Sequence, residues 1–186
     1  VVPQAAIVEM AGDGGLDRYR VLVLPDLDLA PDTAGVLDAA VARGTRLLLT
    51  GASGFDADGG AVLASAPAQR ITATVSGAQD LMATYAAAPG QRGGRRFHGP
   101  VVPVHGTLHT VAAHPDAAPG LEVLGPAPFG PPEKAYGNVP DGRPATLERR
   151  VGAGEVVAVP WTIGRSYHDL ALTSIRDVLV DAVNRL

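Results

Sequence analysis

The segment Gly51-Ala52-Ser53-Gly54 is a direct candidate for chemistry, because a serine among small residues follows an apolar run. Small residues after a strand permit the tight turn that presents a nucleophile in hydrolases. A serine nucleophile also needs a histidine base and an acidic partner. The Gly-x-Ser-x-Gly pattern is incomplete here, since Phe55 stands at its second glycine position. We therefore interpret the segment as a structural turn and keep Ser53 as the nucleophile of an alternative function.

Four of the five histidines fall between His98 and His114, which raises the question of a metal site. His105 and His109 share one face of either a strand or a helix. No Asp or Glu lies in this interval, and its proline and glycine residues disfavour a rigid helix. The chain has no cysteine, which excludes thiolate ligands, thiolate nucleophiles and disulfides. We predict no metal site and no cofactor.

A second group of candidates combines aromatic and charged side chains, mostly near the end of the chain. It contains the only tryptophan and two of the four tyrosines. Aromatic faces stack on sugars and an Arg–Glu pair orients hydroxyl groups, so the group fits a surface that faces a ligand or an interface. Local packing and surface ion pairing are the competing interpretation. The members are Glu133, Tyr136, Trp161, Arg165, Tyr167 and His168.

Charge and hydropathy narrow the classes of partner. The formal net charge is −4, and the arginines at positions 92, 95 and 96 have one aromatic neighbour, so we predict no nucleic-acid partner. No apolar run approaches the roughly 20 residues that span a bilayer, so we predict no membrane partner. The composition leaves the cellular compartment open.

These candidates need a scaffold, and the first third of the sequence supplies one. Residues 20–24 and 46–50 are apolar, strand-like runs. Between them, Pro31-Asp32-Thr33 marks a helix start with Asp32 or Thr33 as the capping side chain, and Arg43-Gly44 marks the helix end. Because both runs are apolar on both faces, they predict a parallel βαβ unit covered on both sides.

The sequence predicts further helices and strands that are consistent with an α/β fold. Residues 5–10 predict a short strand before the βαβ unit. Residues 146–151 and 155–160 predict a hairpin that turns over Gly152-Ala153-Gly154. An apolar stripe from position 172 or 173 to Leu186 predicts a closing helix. One domain with a central sheet and an antiparallel extension explains this order best.

Several segments of the sequence resemble the β-galactosidase trimerisation domain of the class I glutamine amidotransferase-like group. Residues 16–26 (LDRYRVLVLPD) are similar to its strand that ends in Leu-Pro before a helix. Residues 42–51 (ARGTRLLLTG) are similar to its glycine-led strand, and residues 149–157 to its Gly-x-Gly hairpin. Residues 160–167, with Pro131-Pro132-Glu133 and Tyr136-Gly137, resemble versions attached to glycoside-hydrolase barrels, including fucosidase-like ones. Residues 55–130 match nothing in the family.

The resemblance implies a flavodoxin-like three-layer α/β fold with a mainly parallel central sheet and a C-terminal antiparallel hairpin extension. It implies that residues 1–186 form a single amidotransferase-like domain excised from a longer glycoside hydrolase. Amidotransferases of this class carry a cysteine in the turn after the strand. This chain has none, which excludes glutamine hydrolysis by a thiolate.

We therefore expect a non-catalytic accessory or oligomerisation domain of a β-galactosidase-like or fucosidase-like glycoside hydrolase. Its partners would be the catalytic barrel of the same parent chain and further copies in a homo-oligomer. Two alternatives stay open. One is a small serine hydrolase or amidotransferase-like enzyme that uses Ser53, and the other is a module that binds a sugar or small anion near Arg165.

Overall fold

The computed structural model of the chain describes residues 3–12, 14–77, 80–81, 84–88, 101–125 and 140–186. These residues form the helices α1 (Gln4–Gly12), α2 (Pro31–Arg43), α3 (Ile163–Leu170) and α4 (Thr173–Arg185). A 3-10 turn, Gly15–Arg18, precedes the first strand. The strands are β1 (Val21–Pro25), β2 (Arg46–Thr50), β3 (Ala68–Ser76), β4 (Tyr85–Ala87), β5 (Val102–Pro103), β6 (Thr107–Ala113), β7 (Ala118–Pro119), β8 (Glu122–Leu124), β9 (Pro140–Pro144), β10 (Leu147–Val151) and β11 (Gly154–Val159).

The predicted βαβ unit is confirmed. β1, α2 and β2 follow one another, and the two strands pair in parallel with Val23 opposite Leu48. α2 ends at Gly44, whose φ of 126° favours glycine and whose N–H donates to the carbonyls of Ala40 and Val41. The chain can therefore turn at once from the helix into β2.

The start of α2 differs from the prediction in one detail. Pro31 occupies the first turn, where its fixed φ suits the helix and its missing N–H costs nothing. Ala30 holds the capping position, and no side chain caps the helix in the described structure. The predicted cap by Asp32 or Thr33 is wrong because the helix begins at Pro31 and both residues lie within its first turn.

The main sheet has the strand order β1-β2-β11-β10-β7. β1, β2 and β11 are parallel, whereas β10 and β7 are antiparallel to their neighbours. Leu48 of β2 lies opposite both Val23 and Val157. The last strand, β11, therefore pairs with β2 of the βαβ unit, although more than 100 residues separate the two strands in the sequence.

Side chains alternate between the two faces of this sheet, and both faces are covered. Leu47 and Leu49 belong to a buried cluster with Leu37 of α2. Leu48, between them, belongs to the opposite cluster with Ile175 of α4. Helices on both faces of a mainly parallel sheet make three layers, which confirms the predicted α/β fold class.

The predicted C-terminal hairpin is also confirmed, with β10 and β11 paired antiparallel from Leu147 opposite Ala158 to Val151 opposite Gly154. Gly154 packs directly on the α2–β2 junction. A Cβ there would meet the carbonyl oxygens of Val41 and Thr45 well inside 3.0 Å. The hairpin therefore needs glycine at this point of close approach.

The central part of the chain forms two smaller antiparallel sheets. β3 pairs with β6, and a four-stranded sheet has the order β5-β4-β8-β9. Val102, Leu108 and Val123 join the cluster that contains Ile175. These sheets therefore extend the layer on the α4 side of the main sheet.

The predicted strand over residues 5–10 is wrong, because these residues lie within α1, which contacts α2. Alanine, glutamine, glutamate and methionine are good helix formers, and a short apolar run does not separate strand from helix. The longest helices of the described part of the chain, α2 and α4, have 13 residues each. Within the described ranges, no helix combines the length and apolar composition needed to cross a bilayer.

Candidate functional site

The carboxyl ends of β1, β2 and β11 meet at one edge of the main sheet, which is where α/β folds place their ligands. The chain leaves these strands at Asp26, at residues 51–54 and at Trp161. The N–H of Gly51 donates to the carbonyls of Val159 and Trp161, at 3.0 and 3.1 Å. The N–H of Asp26 donates to the carbonyl of Thr50 at 3.1 Å, so main-chain bonds hold the ends of all three strands together.

Ser53, the candidate nucleophile, is only 1% exposed at this edge. Its Oγ donates to the carbonyl of Leu24 and accepts the N–H of Leu27, both at 2.8 Å. The hydroxyl thus cross-links the loop after β2 to the segment after β1. None of the hydrogen bonds described for Ser53 involves a histidine.

Asp26 makes the second cross-link. Its φ is 51°, a left-handed conformation that is uncommon for residues other than glycine. The carboxylate Oδ1 accepts the N–H of Ala52 at 2.8 Å. Gly51 lies so close that a Cβ on it would overlap this oxygen. The strained turn is therefore fixed by a buried loop that only small residues can form.

His109 lies on β6 beneath the same edge and is 8% exposed. Its ring Nδ1 is 3.0 Å from the hydroxyl of Thr74, and its main-chain N–H donates to the carbonyl of Pro160 at 2.8 Å. Burial lowers the pKa of His109 below its ordinary value of 6.5, and the Asp26 carboxylate opposes part of that shift. Burial therefore favours the neutral form of this imidazole.

Trp161 follows β11 and is fully buried. It forms an isolated antiparallel bridge with Leu108, and its ring belongs to the core cluster with Ile175. The indole Nε1 is buried and has no hydrogen-bond partner among the described residues. The ring packs in the core and offers no face from solvent on which a sugar could stack.

Two hydroxyl groups anchor the start of α3 to the turn before β6. Oγ1 of Thr162 accepts the N–H of Thr107 at 2.9 Å, and Oγ of Ser166 donates to the carbonyl of His105 at 2.6 Å. Gly106, with φ of 88°, lies between these contacts, and a Cβ on it would overlap the Thr162 hydroxyl. The orientation of α3 is therefore fixed from its first turn.

Asp169 is the centre of a charged cluster on α3. Its carboxylate lies 3.0 Å from Nδ1 of His168, 3.4 Å from Nε of Arg165 and 3.7 Å from Nε2 of His105. The hydrogen bond with His168 lowers the pKa of Asp169 below its ordinary value, and Arg165 acts in the same direction. The side chains of Arg165 and His168 are 75% and 88% exposed, so water screens these ion pairs.

Apolar side chains are also exposed on α3 and directly after it. Tyr167, Leu170 and Leu172 are each about two fifths exposed, whereas Ile163 and Ser166 on the same helix are buried. We call this exposed surface the α3 face and define it by Arg165, Tyr167, His168, Asp169, Leu170 and Leu172. Apolar and aromatic groups bordered by charges are typical of surfaces that contact another protein.

The structure thus brings together two of the six side chains predicted to face a ligand or an interface, because Arg165 and His168 both contact Asp169. Tyr167 is exposed on the same helix. Arg165, Tyr167 and His168 share the α3 face, and Trp161 lies in the core. Glu133 and Tyr136 lie outside the described residues. The pairing of Arg165 with Asp169 follows an i, i+4 spacing that the sequence displays.

His105 joins the same cluster from a distant part of the chain, and no spacing in the sequence indicates that contact. His109 lies on a strand, one of the two elements that its spacing from His105 allowed, and the sequence gives no sign that it is buried there. Over the described ranges, no three His, Cys, Asp or Glu side chains gather around a point that could hold a metal ion.

Fold and site together define a three-layer α/β domain with an exposed helical face beside the carboxyl ends of its parallel strands. No protein-family model matches this sequence. No curated protein matches it either. Solved structures share the fold at low sequence identity, and they include domains of β-galactosidases.

One such structure is a β-galactosidase from Bacillus circulans sp. alkalophilus, with a TM-score of 0.55 and 15% identity over 86% of this chain. Another is the β-galactosidase of the haloarchaeon Halorubrum lacusprofundi, with a TM-score of 0.54 and 23% identity over 90% of this chain. The chain spans only 24% and 22% of those two enzymes. The expected resemblance to a β-galactosidase domain is therefore confirmed at the level of the fold.

A third structure has a different context. A cytoplasmic protein from Salmonella typhimurium LT2 matches with a TM-score of 0.56 and 15% identity, over 85% of this chain and 67% of that protein. The fold therefore occurs both as a small part of large enzymes and as the greater part of a smaller protein.

Proposed function

We propose that residues 1–186 form a single amidotransferase-like domain that serves a glycoside hydrolase as a non-catalytic accessory domain. The likeness to a fifth or a quarter of two β-galactosidase chains, over most of this chain's own length, carries the proposal. The proposed parent enzyme hydrolyses β-galactosides or fucosides. Its catalytic barrel is the proposed partner, and self-association of the domain is a second proposed role.

The α3 face is the surface proposed to pack on the barrel. Tyr167 supplies a large amphipathic side chain, and Leu170 and Leu172 supply apolar area beside it. Burial of such a patch stabilises association by about 25 cal/mol for each Å² of apolar surface removed from water. Arg165 and His168 border the patch with charges that suit an interface rim.

The environment of the reactive groups supports a non-catalytic role. The Ser53 hydroxyl is occupied by the main-chain groups of Leu24 and Leu27, which leaves the hydrolase alternative with less support. Arg165 is paired with Asp169, so the carboxylate competes with any small anion for the guanidinium group. The accessory role needs neither group to react.

The first test is the complete reading frame that encodes this chain. We expect a catalytic barrel in the same frame, and a frame without one would contradict the proposal. The 186-residue chain should also fail to hydrolyse nitrophenyl galactosides and fucosides. Turnover that disappears in Ser53→Ala would favour the hydrolase alternative instead.

The second test measures binding of the chain to the separately produced barrel by titration calorimetry. Tyr167→Glu should weaken binding at least about tenfold, because it places a charge in an apolar contact. Val180→Glu is the matched control, since Val180 is 49% exposed on α4. Equal affinities for both variants and the unmodified chain would exclude the α3 face as the contact.

A further inference from the structure

β1 is an edge strand of the main sheet, and in the described residues no strand pairs with its outer side. The N–H of Asp26 donates to Thr50 of β2. Because successive residues of a strand direct their main-chain groups to opposite sides, those of Val21 and Val23 point away from β2. Val23 is also 51% exposed. An apolar edge with unused main-chain groups is a template for pairing with another chain.

A cavity of about 600 Å³ lies between α1 and this strand. Its lining is mostly apolar and includes Ile7 and Met10 of α1 and Leu22 and Leu24 of β1. The outer side of β1 therefore offers apolar contact area as well as hydrogen-bonding groups. An added strand would cover both.

The two ends of β1 carry opposite charges. At the amino end, a second cavity of about 660 Å³ is lined by Arg20, Arg43 and Arg46. Asp17 also lines it and pairs with Arg43 at 3.5 Å, so the cavity has a net positive charge. At the carboxyl end, the exposed charged residues are Asp26 and Asp28.

We propose that a second copy of this chain covers the edge, with the two β1 strands paired antiparallel about a two-fold axis. This arrangement places the arginine end of each strand beside the aspartate end of the other, whereas parallel pairing would place arginine beside arginine. Val21 of one copy pairs with Val23 of the other. Pro25 has no N–H, so the pairing is centred on the amino half of the strand.

This inference rests on the self-association role in the proposed function, and it specifies the surface that performs it. The surface is separate from the α3 face. A negative result for β1 therefore leaves packing on the barrel untouched, and a negative result for Tyr167→Glu leaves the β1 pairing untouched.

The first experiment is light scattering of the 186-residue chain after size exclusion at micromolar concentrations. We expect twice the chain mass of 19.0 kDa. Val23→Lys should give the monomer mass, because a lysine on an edge strand opposes pairing. Val180→Lys, equally exposed on α4, should remain a dimer. A monomeric or trimeric unmodified chain, or a dimeric Val23→Lys chain, would overturn the proposal.

The second experiment tests the antiparallel arrangement by cross-linking. When Val21 lies opposite Val23 of the other copy, Leu22 lies opposite its own equivalent at the two-fold axis, with Cβ atoms about 5 Å apart. Because the chain has no cysteine, Leu22→Cys should give a disulfide-linked dimer under mild oxidation, whereas Val180→Cys, on α4, should stay monomeric on a non-reducing denaturing gel. Circular dichroism of each variant checks that it is folded. A folded Leu22→Cys chain that forms no more covalent dimer than Val180→Cys would overturn the antiparallel pairing.

Discussion

The Oγ of Ser53 donates a hydrogen bond to the main-chain carbonyl of Leu24 at 2.8 Å. The same oxygen accepts the N–H of Leu27, and the side chain is buried. The loop resembles a nucleophile elbow in sequence, but in the folded chain its serine hydrogen-bonds two main-chain groups and so links the loop after β2 to β1 and the segment that follows it. This relationship yields the first of four predictions about the molecule.

Ser53→Ala should lower the free energy of unfolding by about 1–3 kcal/mol, because the half-buried N–H of Leu27 and the buried carbonyl of Leu24 lose their partner. Urea denaturation measures the change. Ser76→Ala is the control, since the Ser76 hydroxyl bonds to Thr107 at an exposed site and its loss should cost at most about 0.5 kcal/mol. Equal losses in the two variants would refute the structural role of Ser53.

Gly154→Ala should lower the free energy of unfolding by about 2 kcal/mol or more, because the new methyl group meets the carbonyls of Val41 and Thr45. Gly35→Ala should do the opposite. Gly35 is exposed within α2 with open space around it, so alanine should raise the free energy of unfolding by about 0.5–1 kcal/mol. Thermal or chemical denaturation of both variants checks the contrast, and a stabilising Gly154→Ala would contradict the packing of the hairpin on α2.

Stability should fall as the pH drops below about 6.5, because burial lowers the pKa of His109 in the folded state. The unfolded chain then binds a proton that the folded chain resists, so the contribution is present above pH 6.5 and is lost towards acid. His109→Gln should flatten this part of the stability curve between pH 7 and 5. Parallel curves for His109→Gln and the unmodified chain would contradict the burial of His109.

Trp161 is the only tryptophan, so its fluorescence reports on one site. Iodide should quench the native emission several-fold less than the emission in urea, because the ring is fully buried. Galactose should leave the native emission unchanged. Quenching as strong in the native state as in urea would show that the ring is open to solvent.

Helices and strands that follow from the local residue pattern could be predicted from the sequence. Elements whose structure depends on contacts with distant residues could not. The apolar runs of β1 and β2 and the helix start at Pro31 identify the βαβ unit because periodicity and backbone preference act within a few residues. Residues 5–10 were misread as a strand, because six apolar and polar residues fit either period. Their place beside α2 depends on tertiary packing.

The candidate site divides in the same way. The spacing of Arg165 and Asp169 indicates a pair on one helix. The contact of His105 with Asp169 depends on the turn at Gly106 meeting Thr162, and nothing near either residue in the sequence records it. The burial of Trp161 depends on β6 lying beside the end of β11.

The sequence by itself determined the α/β class, the parallel βαβ unit, the closing hairpin and the absence of any thiol, because these follow from composition and from short-range backbone preference. Tertiary structure alone decided that the Ser53 hydroxyl links two loops, that Trp161 packs in the core, and that α3 and the outer edge of β1 are exposed. Burial and partner choice depend on residues far apart in the chain, and only the folded arrangement brings those residues together.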